Sequence, residues 1–267
     1  MSEHREERIN ILTPDGLRDG ARTIAVEAPV SIEVNGLGYA VMMATPAALV
    51  EFATGFLMTE RLADSIEDIL DIDVHLAPDG WIVRVTLAER CASRINDRVR
   101  HRTSDTACGL CGIAGLEQVV RPVTGPAPVP TTSPAALFAA LETIREHQPL
   151  TRLTGALHAA AFCDGAGKVV AAFEDVGRHN ALDKLIGALA LKHIDLAGGF
   201  ILVTSRISFE MVDKALIARA PLLMGISAPT SMAVDHARAH GLTLIALARS
   251  DAMLVLNDPH HVFDAGA

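Results

Sequence analysis

The second half of the chain alternates short apolar runs with segments of helical periodicity, and this alternation constrains the fold more than any other feature. Such alternation is typical of helices that pack on a central sheet. The sequence therefore predicts an α/β fold with a mainly parallel or mixed sheet. The predicted elements are strands at 158–163 and 169–173, a helix at 180–193, a strand at 200–204, a helix at 209–219, a strand at 222–226, a helix at 231–240 and a strand at 242–247.

The first part of the chain is predicted to be rich in strands. Two pairs of alternating segments flank turn sequences, which is the pattern of β-hairpins. Between them, Thr45 and Pro46 predict the start of an amphipathic helix that runs to about Leu62. The predicted hairpins join 31–34 to 39–43 through Asn35–Gly36, and 69–76 to 81–87 through Pro78–Gly80.

A proline-rich stretch at 121–134 separates these two parts of the chain. It contains five prolines and ends in Ser133 and Pro134, which predict the N-cap and first residue of a helix. We therefore expect a smaller, strand-rich N-terminal part at 1–120, a connector, and an α/β domain at 135–267.

Charge and hydropathy narrow the class of protein further. The net charge is −9, so nothing in the overall charge favours nucleic acid or an anionic membrane surface as a partner. No run approaches the roughly 20 apolar residues of a membrane span, and Met1–Asn10 is charged, unlike a secretory signal. We expect a soluble cytoplasmic protein with no membrane partner.

Four cysteines are present, and two of them form the Cys-x-x-Cys pair Cys108 and Cys111. In a reducing compartment such a pair indicates redox, metal or sulfur chemistry rather than a disulfide framework. Nearby cations lower the pKa of a thiol. Cys91 and Cys163 are interpreted as ordinary buried or half-buried thiols. The cations upstream of the pair, which we expect on an exposed loop, are Arg94, Arg98, Arg100, His101 and Arg102.

Three other interpretations of the cysteine pair are weighed. Structural zinc needs two more ligands, and only isolated candidates exist, so we expect no bound metal. A thioredoxin-like enzyme would place the pair at the start of a helix that follows an N-terminal strand, which this chain does not do. A zinc deaminase needs His-x-Glu before the pair, whereas His158 follows it and Ala160 replaces the glutamate.

A polar segment, Glu174–Lys184, lies between a predicted strand and a predicted helix, where α/β folds commonly bind ligands. Arg178, His179 and Asn180 could donate hydrogen bonds to phosphate near a helix N-terminus. The alternative is a salt-bridged helix cap with Asp183 and Lys184 on the solvated surface. This segment alone does not decide between the two.

Two further turns, 204–208 and 227–231, also lead from an apolar strand into a helix. Three such turns predict one shared edge that binds a polar, phosphorylated ligand. Hydroxyl groups that only cap helices are the alternative. Neither turn carries a Walker or dinucleotide-binding fingerprint. The candidate ligand residues in the two turns are Arg206, Ser208, Ser227, Thr230 and Ser231.

Taken together, these motifs resemble those of the FdhD sulfur carrier proteins, which are accessory factors for formate dehydrogenase. The resemblance extends from about Glu27 onward. The matching segments are Cys108–Gly112, Leu153–Ala161, Glu174–Gly187, Ser205–Lys214, Ser227–Ser231 and Gly241–Leu244.

The resemblance implies a cytidine-deaminase-like three-layer α/β/α domain and a homodimer. It also implies that a cysteine desulfurase loads Cys108 with a persulfide, whose sulfur passes to Mo-bis(molybdopterin guanine dinucleotide) for formate dehydrogenase. Cys111 is expected either to resolve or to relay the sulfur. By the same resemblance, the expected cofactor contacts include His158 and the segment Leu247, Ala248, Arg249, Ser250, Asp251 and Ala252.

The chain departs from the family pattern at two places. Ala156 stands where a second glycine is usual, and Ala246–Leu247 replaces the usual Gly-Phe, so methyl groups occupy positions where glycine would allow close approach of a ligand. A different class of function also stays open, in which the protein binds and chaperones the cofactor and the cysteines are incidental.

Overall fold

The structure is a computed structural model that describes residues 2–99 and 125–263. It has the mixed α/β class that the sequence predicts. The strands are β1 His4–Thr13, β2 Gly16–Ala25, β3 Ala28–Val34, β4 Leu37–Ala44, β5 Ile69–Ala77, β6 Gly80–Leu87, β7 His158–Asp164, β8 Val169–Asp175, β9 Gly199–Val203, β10 Leu222–Gly225, β11 Thr243–Ala246 and β12 Leu254–Asn257. The α-helices are α1 Leu49–Thr59, α2 Ala92–Val99, α3 Pro134–Thr143, α4 Pro149–Thr154, α5 Arg178–Leu191, α6 Phe209–Ile217 and α7 Ser231–Ala239.

The central sheet has six strands in the order β12-β11-β10-β9-β7-β8. Strands β9, β10 and β11 are parallel, whereas β7 is antiparallel to β8 and β9, so the predicted mixed sheet is confirmed. Side chains alternate between its faces. Ala160 and Phe162 of β7 pack in one cluster with α5, α6 and α7, and Ala161 and Cys163 pack in another with α3. Helices therefore cover both faces, and the likeness to cytidine deaminases stays a prediction.

The N-terminal unit is a four-stranded sheet in the order β4-β3-β6-β5, covered by α1. Both predicted hairpins are confirmed, and β3 pairs in parallel with β6 to join them. Phe52 and Leu57 of α1 are fully buried against Ile32 and Val83 of the sheet. This unit thus has its own hydrophobic core.

Helix α1 also packs against α5, so it joins the N-terminal unit to the central sheet. The two helices cross at Gly55 and Gly187. A Cβ atom on Gly55 would overlap the carbonyl oxygen of Asp183, and one on Gly187 would overlap that of Glu51. The backbones are therefore in direct contact, which only glycine permits at these positions.

The predicted start of α1 at Thr45 is wrong, because the helix begins at Leu49. Thr45 is buried, and its polar groups bind the other unit instead. Its backbone N–H donates to the carboxylate of Asp175 at 3.0 Å, and its hydroxyl accepts from the N–H of Val176 at 3.2 Å. A threonine with both groups engaged in this way is not available to cap a helix.

Some elements were not predicted from the sequence. Strands β1 and β2 form a separate two-stranded hairpin in continuous register. Helix α2 begins at Ala92, just before the stretch from Arg94 that was predicted as a basic loop, and runs into it, and α4 and β12 were not predicted either. After the connector, Ser133 caps α3 as predicted, accepting from the N–H of Ala136 at 3.3 Å. No helix within 2–99 or 125–263 is long and apolar enough to cross a membrane.

Candidate functional site

One edge of the central sheet collects the polar turns that the sequence singles out. Strands β9, β10 and β11 end there because they are parallel, and β7 begins there because it runs the opposite way. Helices α5, α6 and α7 all start at this edge, so their N-terminal N–H groups and positive dipole ends meet. We call it the strand-end edge, which comprises His158 and residues 175–180, 204–208, 226–231 and 247–252.

The loops of the strand-end edge hold one another in place. The N–H of Ile207 donates to the carbonyl of Ala228 at 3.2 Å, and the N–H of Thr230 donates to the carbonyl of Ile207 at 3.0 Å. The N–H of Leu247 donates to the carbonyl of Ser227 at 3.2 Å. The strand directions place the three strand-to-helix turns at one edge, as predicted, and these hydrogen bonds join the second and third turns to each other and to Leu247.

Five potential cations lie in this surface, namely His158, Arg178, His179, Arg206 and Arg249, and three of them are considered first. Arg178 is the first residue of α5, Arg206 is exposed after β9, and His158 is the first residue of β7. Burial, and then the positive charges of Arg178 and Arg206, lower the pKa of His158 below its ordinary value. His158 therefore feels the positive potential of both arginines, and such a potential favours a bound anion.

Arg178 has a donor that the described part of the chain leaves unused. Its Nε atom is buried, and among the described residues it has no hydrogen-bond partner. A buried N–H without an acceptor is costly, roughly 1–3 kcal/mol. The oxygen of a phosphate group would supply the missing acceptor in a charge-assisted hydrogen bond. The arginine thus fits a phosphorylated ligand.

Asn180 lies beneath the surface rather than on it. It is buried, and its amide donates to the carbonyl of Met43 at 2.9 Å and to the carboxylate of Asp175 at 3.0 Å. Both amide hydrogens are thereby engaged within the protein. Asp175 also accepts from the N–H of Gly177 at 2.7 Å. These contacts fix the turn that presents Arg178.

Lys184 completes this network from the next turn of α5. Its Nζ atom lies 2.6 Å from the carboxylate of Asp175 and donates to the carbonyl of Thr45 at 2.9 Å. Burial lowers the pKa of Lys184, and Asp175 counteracts that shift. These contacts of Lys184 therefore connect the strand-end edge to the N-terminal unit.

Asp183 and Lys184 are not the solvated surface that the helix-cap interpretation requires, because each is about 1% exposed. Asp183 accepts from the Nζ of Lys214 at 2.8 and 2.9 Å and from the hydroxyl of Thr59 at 2.8 Å. Although burial alone would lower the pKa of Lys214, the charge of Asp183 raises it. A second buried ion pair thus joins α1, α5 and α6.

His179 pairs with the start of α6. Its Nε2 atom lies 3.0 Å from a carboxylate oxygen of Glu210 and 3.4 Å from the hydroxyl of Ser208. A serine nucleophile needs the hydroxyl on one ring nitrogen and the carboxylate on the other. Here both contacts involve the same nitrogen, so these three side chains do not form a proton relay. They fix the first turns of α5 and α6 relative to each other.

The hydroxyl residues of the turn at 227–231 have different roles. Thr230 is the N-cap of α7 and accepts from the N–H of Ala233 at 3.3 Å, so the helix-cap interpretation is confirmed for this residue. Ser231 is exposed on the first turn, and Ser227 is half-buried. By contrast, Ser208 is the N-cap residue of α6, yet its hydroxyl makes no capping hydrogen bond.

The segment 247–252 closes one end of the strand-end edge. Its backbone turns on the hydrogen bond from the N–H of Arg249 to the carbonyl of Ala252, 2.9 Å long. The guanidinium of Arg249 donates to the carbonyls of Ile226 and Ala248. Leu247 has a φ of +50°, the left-handed region that favours glycine, at one of the two departures from the family pattern. In this segment Ala248 is buried, whereas Arg249, Ser250, Asp251 and Ala252 are exposed.

The cysteine pair, Cys108 and Cys111, lies outside the described residues. The other two cysteines are buried as predicted. Burial raises the pKa of Cys163 to about 12, and burial together with Asp68 raises that of Cys91. Both therefore stay protonated thiols, which are poor nucleophiles at neutral pH.

Comparisons with known proteins point to one family. The sequence profile of the FdhD/NarQ family matches residues 25–263. The sulfur carrier protein FdhD of Variovorax paradoxus is 41% identical over 241 residues, which cover 90% of this chain and 87% of that protein. The sulfur carrier protein FdhD of Xanthomonas euvesicatoria is 43% identical over 243 residues, covering 90% and 85%.

A solved structure shares the fold. It is the crystal structure of a Desulfotalea psychrophila protein that is described as a putative formate dehydrogenase accessory protein. The TM-score is 0.77 and the identity is 23%, with 98% of this chain and 100% of that chain covered. At this identity the likeness concerns the fold alone.

Proposed function

Because the chain belongs to the FdhD/NarQ family, we propose that it is a sulfur carrier protein that serves formate dehydrogenase. It receives sulfur from a cysteine desulfurase as a persulfide on Cys108. It then passes the sulfur to Mo-bis(molybdopterin guanine dinucleotide), its transient substrate, before that cofactor enters the dehydrogenase. The observation that carries the cofactor part of the proposal is the grouping of His158, Arg178 and Arg206 at the strand-end edge.

The negative charge of the cofactor is complementary to the positive charge of these residues. Each guanine dinucleotide arm carries a diphosphate, which is a compact double negative charge. Arg178 offers a buried donor for which the described ranges hold no acceptor, Arg206 is exposed, and the N-termini of α5, α6 and α7 add positive potential. The segment 247–252 borders the same surface and supplies backbone for further contacts.

The first sulfur transfer is a thiolate exchange. The thiolate of Cys108 attacks the outer sulfur of the persulfide on the desulfurase, forming a new S–S bond as the old one breaks and the desulfurase cysteine leaves as a thiolate. The upstream cations Arg98, Arg100, His101 and Arg102 favour the attacking thiolate. Arg94, which was expected among them, instead donates to both carboxylate oxygens of Asp64 at 2.8 and 2.6 Å. Cys111 either resolves the persulfide or relays the sulfur. We propose that this chemistry takes place in the cytoplasm, on a homodimer.

Guanine nucleotides, as fragments of the cofactor, are expected to bind the strand-end edge. Arg178→Ala and Arg206→Ala should each weaken binding by about tenfold or more, because a lost charge-assisted contact to phosphate costs roughly 1.5–3 kcal/mol. Isothermal titration with GDP measures the change. Arg238→Ala is the control, since Arg238 lies in the last turn of α7, away from the edge. Unchanged affinity for GDP in both Arg178→Ala and Arg206→Ala would show that the nucleotide site does not lie at the strand-end edge.

A second candidate function is a chaperone that binds the cofactor without carrying sulfur. It is favoured by one observation, namely that within 2–99 and 125–263 no cysteine lies among the cationic residues of the strand-end edge. Sulfur loading of the Cys108 peptide separates the two candidates, as described in the Discussion.

A zinc-dependent, deaminase-like enzyme is the third and weakest candidate. We expect purified protein to carry far less than one zinc per chain, because the sequence pairs only Cys108 with Cys111 as close ligands. Elemental analysis of the protein, with free thiols counted in the same sample, tests this expectation. About one zinc per chain with both thiols blocked by the metal would favour the deaminase-like alternative.

A further inference from the structure

His158 has an unusual place in the strand-end edge. It faces the end of β8, where its register partner is Asp175. Because side chains alternate along β7, His158 lies on the same face of the sheet as Ala160, which packs toward α5, α6 and α7. The charged and titratable groups around it are Asp175 of β8, Arg178 and His179 of α5, and Arg206 after β9.

The charges around His158 do not balance. The negative charge of Asp175 is already matched by Lys184, at 2.6 Å, and His179 is paired with Glu210 at 3.0 Å. The guanidinium groups of Arg178 and Arg206 stay charged at every physiological pH. Without a ligand, the imidazole therefore sits in a partly buried, positive environment that favours its neutral form.

A bound diphosphate would reverse this environment. Its two negative charges offset the two guanidinium groups, and its oxygens accept hydrogen bonds from a protonated imidazole. We propose that His158 takes up one proton when a diphosphate binds beside Arg178 and Arg206, and releases that proton when the ligand leaves. This inference rests on the proposed function, since it concerns the same cofactor site.

The sign of the resulting pH dependence follows from linkage. Ligand binding raises the pKa of His158, so affinity is highest at a pH below the pKa of the free protein, where the imidazole is already charged. Affinity falls as the pH rises toward the pKa of the complex, by up to about tenfold per pH unit, and is constant above it. Release of the cofactor is thus favoured as the proton is lost.

The test uses a ligand with no proton of its own to exchange. In guanosine diphosphate mannose the diphosphate is a diester, as in the cofactor arm, and it does not titrate near neutral pH. Isothermal titration of the full-length protein in two buffers of different ionisation enthalpy counts the protons taken up. We expect uptake that approaches one proton per ligand near neutral pH, with affinity that weakens as the pH rises.

Two variants identify the group. His158→Gln is expected to bind with no proton uptake and with affinity that no longer depends on pH, whereas His179→Gln should keep both effects. Binding by the unaltered protein without proton uptake, or uptake that survives in His158→Gln, would overturn the inference and leave the proposed function standing. Absence of any binding to the unaltered protein would overturn the anion site and this inference with it.

Discussion

Replacement of Cys108 by alanine is expected to abolish maturation of formate dehydrogenase. The persulfide needs a thiolate to form, and alanine offers no atom that can carry sulfur. The fold should survive, because the sequence predicts that Cys108 lies on an exposed loop, where a cysteine contributes little to core packing. The protein should therefore stay folded, with activity of the dehydrogenase reduced to that of cells lacking this protein. Dehydrogenase activity in a complemented deletion strain measures the effect.

The matched control is Cys163→Ala. Cys163 is fully buried in the central sheet, so this change should cost about 1 kcal/mol of stability and leave maturation intact.

After incubation with a desulfurase and cysteine, a mass spectrum should show added sulfur on the peptide that contains Cys108. Cys111→Ala should be milder if that thiol only resolves, and equally severe if it relays. If the Cys108→Ala, Cys111→Ala double variant still matures formate dehydrogenase, the sulfur-carrier function is wrong and the chaperone function takes its place.

Lys214→Met is expected to lower the free energy of unfolding by about 3–5 kcal/mol. The side chain of Asp183 is buried, and Lys214 is its ionic partner, so the variant leaves a carboxylate without its counter-charge. The loss should be larger at pH 7 than near pH 4. Burial raises the pKa of Asp183 in the folded state, so the penalty disappears as the pH falls to the ordinary carboxyl pKa, where the unfolded chain is protonated too.

Urea unfolding of single and double variants tests this pair. Adding Asp183→Asn to Lys214→Met should restore part of the lost stability, because the unpaired charge is removed. Asp235→Asn is the surface control, since its ion pair with Arg238 is 3.9 Å long and exposed, and it should change stability by less than about 1 kcal/mol. If Asp235→Asn lowered the free energy of unfolding as much as Lys214→Met does, burial of the ion pair would not explain the loss of stability.

The sequence predicts most elements of the second half of the chain, because the strands β7 to β11 and the helices between them carry their own signals, although α4 and β12 were not predicted. Strand β9 is an apolar run and α6 has helical periodicity, so their bounds differ from the prediction by one or two residues. The hairpin of β1 and β2 was missed because charged residues dominate it. Helix α1 was started too early because the contacts of Thr45 with Asp175 and Val176 span about 130 residues of sequence.

For the candidate site, the grouping of the turns at one edge could be predicted from the sequence. The buried side-chain contacts that hold this edge in place could not. Arg178 and Arg206 follow strands that end at one edge, and that grouping follows from topology alone. The burial of Asp183 and Lys184 depends on Thr59, Thr45 and Lys214, which are distant in sequence. A charged residue on a helix gives no local sign that such partners exist. The same holds for Asn180, whose amide looks available in sequence and is engaged in the fold.

The crossing of α1 and α5 sets a rule for hybrids between this protein and its relatives. A hybrid that exchanges residues 28–95 brings a foreign helix against Gly187, and any side chain at the position of Gly55 would push the two backbones apart. That displacement would pull Thr45 away from Asp175 and loosen the turn that holds Arg178. We therefore expect such a hybrid to keep this contact only where glycine stands at both positions, whatever the identity elsewhere.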